Sequence, residues 1–356
     1  MSGWSHCFAR LPTEPLHTAG GIASQLLGFT HYYRTTHESA DNRAAIAVYI
    51  QRLDSGDIGL VEVNCPNCRA TNDQVLFDRD RYGIPWKTVV CRDCGMVYSN
   101  PQMDASSTVE FYASDLYRRI YGSGHLLRDS TSMFKIDRVD RSRDYHRLTH
   151  YDFIMGSGIE FESVVEIGAG GGWNLIPFIE DGKYCVGYDY SPNLVAAGRQ
   201  QGIDIILEDQ RGLIGEYDLI MLKHVLEHVD NPVKQLRELR EHVSADGHLF
   251  IEVPGIVKKI PSIQNAHYHY FSERTLASVV QQSGFEISSI RSINRNGYIL
   301  ALAKKSNEYP SLVPTPGEHE WVISIVRRGR RGMLKALVAE RLPQPLLGAL
   351  KVILRR

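Results

Sequence analysis

The sequence lacks a long apolar run, a surplus of charge of one sign and an abundance of cysteine. No hydrophobic stretch approaches the roughly 20 residues that a membrane-spanning helix needs, and the first residues lack the charged-then-apolar pattern of a secretory signal. The 40 basic side chains are matched by 41 acidic ones, so no overall field favours a nucleic acid. We therefore expect a cytoplasmic protein without a nucleic-acid partner.

The composition is otherwise that of an ordinary globular protein. Hydrophobic residues make up 43% and charged residues 23% of the 356 residues. This length suffices for two domains, or for one domain with large additions. Six cysteines in a chain of this size do not indicate a disulfide scaffold.

Four of the cysteines form two closely spaced pairs. They follow the pattern C-x2-C at Cys65 and Cys68 and again at Cys91 and Cys94, with 22 residues between the pairs. Each pair forms a tight turn that points two thiolates at one spot, and two such turns make a closed tetrahedral site that suits Zn²⁺. Because four thiolates leave no position for a water, the spacing predicts a structural metal. A redox pair and buried free thiols are the alternatives.

A glycine-dense turn follows an apolar run in the middle of the chain. Val164 to Ile167 lead into five residues of which four are glycine, and a second apolar run ends at Asp189. This order is typical of a nucleotide-binding strand–turn–helix unit, although an ordinary strand–helix turn is the other interpretation. A dinucleotide fingerprint would need glycine where Trp173 stands. The frame E-x-G-x-G-x-G does fit, at Glu166, Gly168, Gly170 and Gly172.

That frame resembles motif I of the class I S-adenosylmethionine-dependent methyltransferases. The apolar run Tyr217–Leu222, a helix-forming segment Pro232–His242 and a strand His248–Val253 follow in the order typical of small-molecule methyltransferases. The resembling segments span residues 160–305. The resemblance implies an α/β, Rossmann-like domain with a mostly parallel seven-stranded sheet and helices on both faces, and S-adenosylmethionine as its cofactor.

The resemblance also implies which residues meet the cofactor. The glycine turn would admit the methionine moiety, and Glu166 would support the turn. Asp189 would bind the ribose hydroxyls and Asp209 the adenine amino group, with Glu208 and Gln210 as alternatives to Asp209. The cofactor residues predicted in this way are Glu166, Gly168, Ala169, Gly170, Asp189, Tyr190, Asp209 and Lys223.

The cysteine pairs carry a second resemblance. The segment CPNC…CRDCGMVYSNP, with the aromatic residues that follow it, is similar to the N-terminal zinc module of methyltransferases that act on sugars. In that group the module helps to build the acceptor side of the cleft. The resemblance implies structural Zn²⁺ and a small-molecule or glycan acceptor, such as a nucleotide- or lipid-linked sugar.

Two groups of histidines are candidates for the general base that a hydroxyl acceptor needs, since imidazole titrates near neutral pH. His224 and His228 follow an apolar strand, and their four-residue spacing puts them on one face of a helix-like turn. His267 stands five residues before Ser272, the predicted cap of a helix, where the sugar group carries a base. We predict His267 as the base and His224 as the second choice, with a structural role for His228. Packing or substrate binding is the alternative role of His267.

The motifs divide the chain into five segments. In order, they are an extension of unknown role, a zinc ribbon, a helical connector on the acceptor side, the S-adenosylmethionine-binding domain and a basic amphipathic tail: 1–60, 61–103, 104–152, 153–306 and 307–356. Within the extension, the apolar spacing predicts a helix over Ala40–Leu53. The sequence of the tail predicts helices that are broken at Pro343 and Pro345. These helices could lie on an anionic membrane surface or dock on the protein.

Together these features predict an enzyme that transfers a methyl group to a sugar hydroxyl in polysaccharide, glycolipid or natural-product biosynthesis. Methylation of a sugar carbon, methylation of an RNA base and a cofactor-binding scaffold without catalysis are the alternatives. The mixed charge of residues 61–103 and the lack of a basic stripe in the core count against an RNA base. The intact glycine turn and Asp189 count against a scaffold. The expected location is the cytoplasm, and peripheral contact of the tail with the inner face of the membrane is one of the two alternatives for the tail.

Overall fold

The computed structural model describes residues 39–121, 134, 147–259, 263–294, 297–311 and 313–341. Its N-terminal part contains a helix, short strands and two further helices. In chain order these elements are α1 (Ala40–Ser55), β1 (Leu60–Val61), β2 (Asp73–Arg79), β3 (Pro85–Cys91), β4 (Val97–Ser99), β5 (Gln102–Met103), α2 (Ala105–Ala113) and α3 (Asp115–Tyr121). The helix predicted over Ala40–Leu53 is confirmed as α1.

The rest of the described chain alternates strands and helices. In chain order the elements are α4 (Thr149–Met155), β6 (Ser163–Ile167), α5 (Ile176–Glu180), β7 (Tyr184–Asp189), α6 (Pro192–Gln200), β8 (Ile205–Leu207), β9 (Tyr217–Lys223), α7 (Pro232–Arg240), β10 (Val243–Pro254), α8 (Ile256–Lys259), β11 (His269–Tyr270), α9 (Glu273–Gln282), β12 (Phe285–Ile293), β13 (Tyr298–Lys305) and α10 (Glu318–Arg341). Each strand and helix predicted for residues 217–253 is present, with bounds shifted by a few residues.

Seven of these strands form one sheet in the order β12-β13-β10-β9-β6-β7-β8. Strands β10, β9, β6, β7 and β8 are parallel to one another, whereas β13 pairs antiparallel with both β10 and β12. The chain runs outward from β6 to β8 and then returns to the other side of β6 as β9. Such a reversal opens a crevice at the carboxyl ends of the central strands. The predicted mostly parallel seven-stranded sheet is confirmed.

The sheet is buried on both faces. In β6, Val164 packs in a hydrophobic cluster with Leu219 and Phe250, whereas the next residue, Val165, packs with Ile220 in a separate cluster. Successive residues of a strand point to opposite faces, so the two clusters lie on the two sides of the sheet. Polar groups can therefore emerge only where the strands end.

The start of α9 fixes the segment that carries His267. As predicted, Ser272 caps this helix: its side chain accepts from the N–H of Thr275, and the Thr275 hydroxyl accepts from the N–H of Ser272 at 2.9 Å. This reciprocal pair satisfies two backbone donors that the helix itself cannot satisfy. The residues that lead into the cap are thereby held in one conformation.

A small second sheet joins distant parts of the chain. Strand β11 pairs antiparallel with β4, which gives the order β11-β4-β3-β2. Next to this pairing, the N–H of Ser99 donates to the carbonyl of Tyr268 at 2.8 Å. The predicted segments 61–103 and 153–306 therefore share a sheet, and their boundary stays a prediction about the sequence.

The C-terminal segment contacts the same small sheet. In α10, Val322 and Val326 are buried in a cluster with Leu76 of β2, and the hydroxyl of Thr315 donates to the carbonyl of Cys94 at 2.7 Å. These contacts favour docking on the protein for this part of the predicted tail. The predicted breaks at Pro343 and Pro345 lie outside the described residues.

Within the described part of the chain, no helix combines the length and the apolar character that a membrane span requires. The membrane-surface contact proposed for the tail involves residues 327–356, of which 327–341 belong to α10 and the rest lie outside the described residues. That contact and the cytoplasmic location stay predictions.

Candidate active site

The four cysteines predicted as metal ligands meet at one point. Sγ of Cys65 lies 3.4 Å from Sγ of Cys94, and Sγ of Cys68 lies 3.4 Å from Sγ of Cys91. All four sulfurs lie within 4.8 Å of one another, and none is in a disulfide. Zinc–sulfur bonds of about 2.3 Å put the sulfurs of a tetrahedral site roughly 3.8 Å apart. Both close contacts join one pair to the other, as a shared metal requires.

The glycine turn after β6 has backbone conformations that favour glycine. The angle φ is +69° at Gly168, +58° at Gly170 and +75° at Gly172. A Cβ at Gly168 would come within 2.5 Å of Cγ2 of Val225, and one at Gly172 within 2.7 Å of Cγ2 of Ile203. A side chain at either position would both strain the backbone and collide with a neighbour.

Asp189 ends β7 and braces this turn. Its Oδ2 accepts from the N–H of Gly170 at 2.8 Å, and its Oδ1 accepts from the N–H of Ser191 at 2.7 Å. Burial raises the pKa of this carboxyl, and the two backbone hydrogen bonds oppose that rise. Because each carboxylate oxygen has a second lone pair, Asp189 can hold the turn and still accept from a ligand hydroxyl.

Glu166 lies beneath the turn, fully buried and away from the cleft. Its Oε1 accepts from Nδ2 of Asn174 at 2.7 Å, whereas its Oε2 has no hydrogen-bond partner among the described residues. Burial raises the pKa of Glu166 to about 8. The side chain is therefore largely protonated at neutral pH, which suits a residue that supports the turn from below.

A network of buried polar groups connects Glu166 with Lys223 at the end of β9. Nζ of Lys223 lies 3.7 Å from Oε2 of Glu252 and 3.5 Å from Nδ1 of His150. The other ring nitrogen of His150 reaches the carbonyl of Asn174 at 3.0 Å. The charge of Lys223 thus faces a buried carboxylate on one side and the cleft on the other.

A cleft of about 2330 Å³ opens at the carboxyl ends of the parallel strands. Residues 61–67 of the cysteine-containing segment line its opposite wall, together with Tyr112 and Tyr117. Asp209 pairs with Arg211 at its rim. Seven of the eight predicted cofactor residues line the cleft, namely Gly168, Ala169, Gly170, Asp189, Tyr190, Asp209 and Lys223.

His224 is held between two carboxylates at the end of β9. Its Nε2 lies 3.1 Å from Oε1 of Glu252 and its Nδ1 lies 3.4 Å from Oε1 of Glu227. Burial alone would lower the pKa of this imidazole, but the two carboxylates raise it to about 9. The residue also has φ of +57°, rare for a side chain with a Cβ. His224 is therefore a fixed imidazolium at neutral pH.

His228 and His267 face each other in a smaller pocket of about 290 Å³ beside the cleft. Their ring centroids are 4.7 Å apart, and the rings are nearly perpendicular. Glu227 lines the same pocket. Burial lowers the pKa of His228, which is neutral there. In contrast, His269 is buried, and its Nε2 lies 2.7 Å from the carbonyl of Val229.

Sequence reasoning missed three residues of this region. Tyr298 lines the smaller pocket, with its ring centroid 5.4 Å from that of His224. Tyr298 and His150 stand in no motif, and nothing in the sequence marks them. Glu252 could have been found, because a carboxylate inside the apolar strand His248–Val253 must have a buried partner. Its buried partners are His224, at 3.1 Å, and Lys223, at 3.7 Å.

Residues 139–290 match a family model described as a methyltransferase domain. This match agrees with the strand order and with the glycine turn after β6. These residues therefore form a methyltransferase domain. The match leaves the cysteine-containing segment and the C-terminal segment outside the methyltransferase domain. No curated protein sequence matches the chain.

Solved structures similar to this chain include three methyltransferases. The 1,6-didemethyltoxoflavin-N1-methyltransferase of Burkholderia thailandensis is 19% identical over 61% of this chain and 98% of its own, with a TM-score of 0.43. The magnesium protoporphyrin IX methyltransferase of Synechocystis PCC 6803 is 17% identical over 55% and 100%, with a TM-score of 0.42. An S-adenosylmethionine dependent methyltransferase of Mesorhizobium loti is 16% identical over 46% and 99%, with a TM-score of 0.39. The acceptors named for the first two belong to those proteins.

Proposed function

We propose that this methyltransferase transfers a methyl group from S-adenosylmethionine to a hydroxyl group of a sugar, free or within a glycan. The observation that carries the proposal is the pocket of Glu227, His228 and His267, which adjoins the cofactor cleft. It groups two imidazoles and a carboxylate beside an aromatic wall, which is formed by Tyr112, Tyr117 and Tyr190. Polar groups of this kind bind and activate hydroxyls, while aromatic faces pack on the C–H faces of sugar rings.

The cofactor has a defined place in this proposal. The turn at Gly168–Gly170 admits the methionine part, and Glu166 supports that turn from below. Asp189 binds the ribose hydroxyls through its remaining lone pairs, and Asp209 binds the adenine amino group. Lys223 offers its charge to the cofactor carboxylate. The support for these roles is the common location of the residues around one end of the cleft.

The aromatic wall supports a sugar acceptor. The rings of Tyr112 and Tyr117 have centroids 4.8 Å apart, and the ring of Tyr190 lies 6.4 Å from that of Tyr112. Tyr190, which is also one of the predicted cofactor residues, is 52% exposed, so its face is available to a ligand. All three rings line the cleft opposite or beside the glycine turn. A flat ligand edged with hydroxyls matches this surface.

The reaction itself is an in-line displacement that depends mainly on positioning. The acceptor oxygen bonds to the methyl carbon, the carbon–sulfur bond breaks, and sulfur keeps the electron pair. The hydroxyl proton must leave as this happens. We assign His267 to assist its removal, because the other predicted candidate, His224, already directs both ring nitrogens to carboxylates.

We also propose that Cys65, Cys68, Cys91 and Cys94 bind a structural Zn²⁺. The contacts between the sulfurs support a tetrahedral ion, and four thiolates leave it no catalytic water. Residues 61–67 run from the cleft wall into the first cysteine pair. The ion would therefore hold the acceptor side of the cleft in shape.

A two-step experiment tests the proposal. Calorimetric titration with S-adenosylmethionine and S-adenosylhomocysteine first establishes binding to the zinc-replete protein. Nucleotide sugars and glycans are then offered as acceptors, and transfer of a labelled methyl group is followed by mass spectrometry. Methylation of a sugar oxygen supports the proposal. Methyl transfer to other acceptor classes, with none to any sugar, refutes it.

A further inference from the structure

We propose that Glu227, His228 and His267 bind a divalent transition-metal ion in the acceptor pocket. One donor atom of each residue lies within 4.8 Å of the other two. These residues come from the turn after β9 and from the segment before α9, which the fold brings together. The inference rests on the proposed function and specifies how His267 serves it.

His228 is oriented as metal-binding histidines are. Its Nδ1 lies 2.8 Å from the carbonyl oxygen of Ala266 and 2.8 Å from the hydroxyl of Tyr112. Because the Tyr112 hydroxyl donates to the same carbonyl at 3.0 Å, a proton on Nδ1 satisfies all three contacts. The lone pair of the neutral ring is then on Nε2, which lies 3.8 Å from Oε1 of Glu227. This distance is too long for a hydrogen bond. A histidine whose second nitrogen is tied to a backbone carbonyl presents a fixed lone pair to an ion.

Glu227 supplies a buried carboxylate aimed into the same space. Its side chain is 1% exposed, and neither oxygen has a hydrogen bond among the described residues. The Nδ1 of His224 lies 3.4 Å from Oε1 and balances part of the charge. A buried carboxylate without a well-aligned hydrogen-bond donor is costly, and an ion between Glu227 and the two imidazoles would lower that cost.

The spacing requires little change to hold an ion. Bonds of about 2.0–2.2 Å put two ligands of one ion at most about 4.2 Å apart. The widest pair must therefore close by no more than roughly 0.6 Å, which side-chain rotation can supply. Two imidazoles and one carboxylate suit Mn²⁺, Fe²⁺, Co²⁺ or Zn²⁺ better than Mg²⁺ or Ca²⁺. Three ligands also leave positions open toward the pocket.

An ion in this position would act on the acceptor directly. The sugar hydroxyl binds it through an oxygen lone pair, which lowers the pKa of the hydroxyl. The proton passes to solvent water in the cleft, and the oxygen then attacks the methyl carbon as described above. His267 assists the removal of the proton as a ligand of the ion.

The test uses Mn²⁺, because this ion prefers oxygen and nitrogen ligands and does not compete for the four-cysteine site. The zinc-replete full chain is titrated with Mn²⁺, and the free ion is followed by electron paramagnetic resonance. We expect one Mn²⁺ per chain, and an affinity at least about tenfold weaker in Glu227→Gln and in His267→Asn. Glu286→Gln, which changes an exposed acid on β12, is the matched control and binds as the wild type does.

Binding of S-adenosylhomocysteine shows that each variant is folded. The inference is overturned if the wild type takes up no Mn²⁺ while it binds S-adenosylhomocysteine, or if uptake is unchanged in both ligand variants. Mn²⁺ uptake without methyl transfer to any sugar would count against the proposed function and leave the ion site standing. Methyl transfer to a sugar without Mn²⁺ uptake would overturn the ion site and leave the proposed function standing.

Discussion

The side of the cleft proposed for the cofactor and the side proposed for the acceptor are built in different ways. On the cofactor side the backbone does most of the shaping, through three glycines with positive φ and one aspartate that holds the turn. On the acceptor side the side chains do most of the shaping, through a buried carboxylate and half-buried imidazoles that come from separate parts of the chain. A site shaped by backbone suits a ligand that is the same in every enzyme of the fold. A site shaped by side chains suits a ligand that differs between enzymes.

The two sides also differ in electrostatics. Glu166 beneath the cofactor turn is isolated by burial and is largely neutral. The acceptor side instead concentrates charge, with His224 fixed between Glu227 and Glu252. Substitutions on the two sides should therefore separate cofactor affinity from turnover.

The largest effect of a substitution is expected at the cysteine cluster. We expect Cys65→Ser to release the metal and to lower the free energy of unfolding by several kcal/mol, because cluster residues pack with the core of the large sheet. Zinc content and thermal unfolding measure this. Cys185→Ser changes another buried cysteine, in β7, and should keep the metal. An unchanged zinc content in Cys65→Ser would show that the cluster holds no ion.

A large but selective effect is expected at His267. Its replacement by alanine should lower kcat by roughly 100-fold or more, since assistance to proton transfer is commonly worth that much. The affinity for S-adenosylhomocysteine should stay the same, because His267 lies outside the cofactor cleft. His242→Ala is the control, since that imidazole contacts the carbonyl of Gly215. Equal losses of affinity and turnover in His267→Ala would mean that the two sides are not separable.

The converse effect is expected at Asp189. Asp189→Ala should weaken the binding of S-adenosylhomocysteine by about 10- to 100-fold, the usual worth of a hydrogen bond to a charged group. Calorimetric titration measures the change. Asp204→Ala removes an exposed aspartate just before β8 and should leave the affinity unchanged. An Asp189→Ala protein that binds as tightly as the wild type would contradict the ribose role.

The smallest effect concerns pH and Glu166. Its pKa rises from 4.5 to about 8 on folding, so between these values the folded protein keeps a proton that the unfolded chain has lost. Unfolding then releases a proton, and the wild type should lose stability relative to Glu166→Gln as the pH rises from 5 to 8. Above pH 8 the difference should level off. Urea unfolding at three pH values checks this, and parallel curves would contradict a raised pKa.

The sequence was sufficient for the cofactor side because its residues are close along the chain. Glu166, the glycine turn and Asp189 lie within one strand–turn–strand stretch, so their spacing alone predicts their meeting. The four cysteines were predictable for the same reason, since each pair makes a local turn. Their predicted roles toward the cofactor and the metal stay proposals.

The acceptor side was harder to predict because its geometry is tertiary. The sequence could not indicate that Glu227 and His228 meet His267, nearly 40 residues away, or that Glu252 and Glu227 hold His224 between them. It also could not indicate that β11 leaves the large domain to pair with β4. Such contacts depend on which strands end side by side, and no spacing rule reports this.

The pairing of β11 with β4 limits how the N-terminal module can be exchanged for another. Strand β11 begins two residues after His267, so the edge of the small sheet and the acceptor pocket share one short peptide. Exchange of the N-terminal module for another by recombination would therefore detach the segment that carries His267. Grafting of the module alone should yield a chain that keeps its cofactor and loses its chemistry.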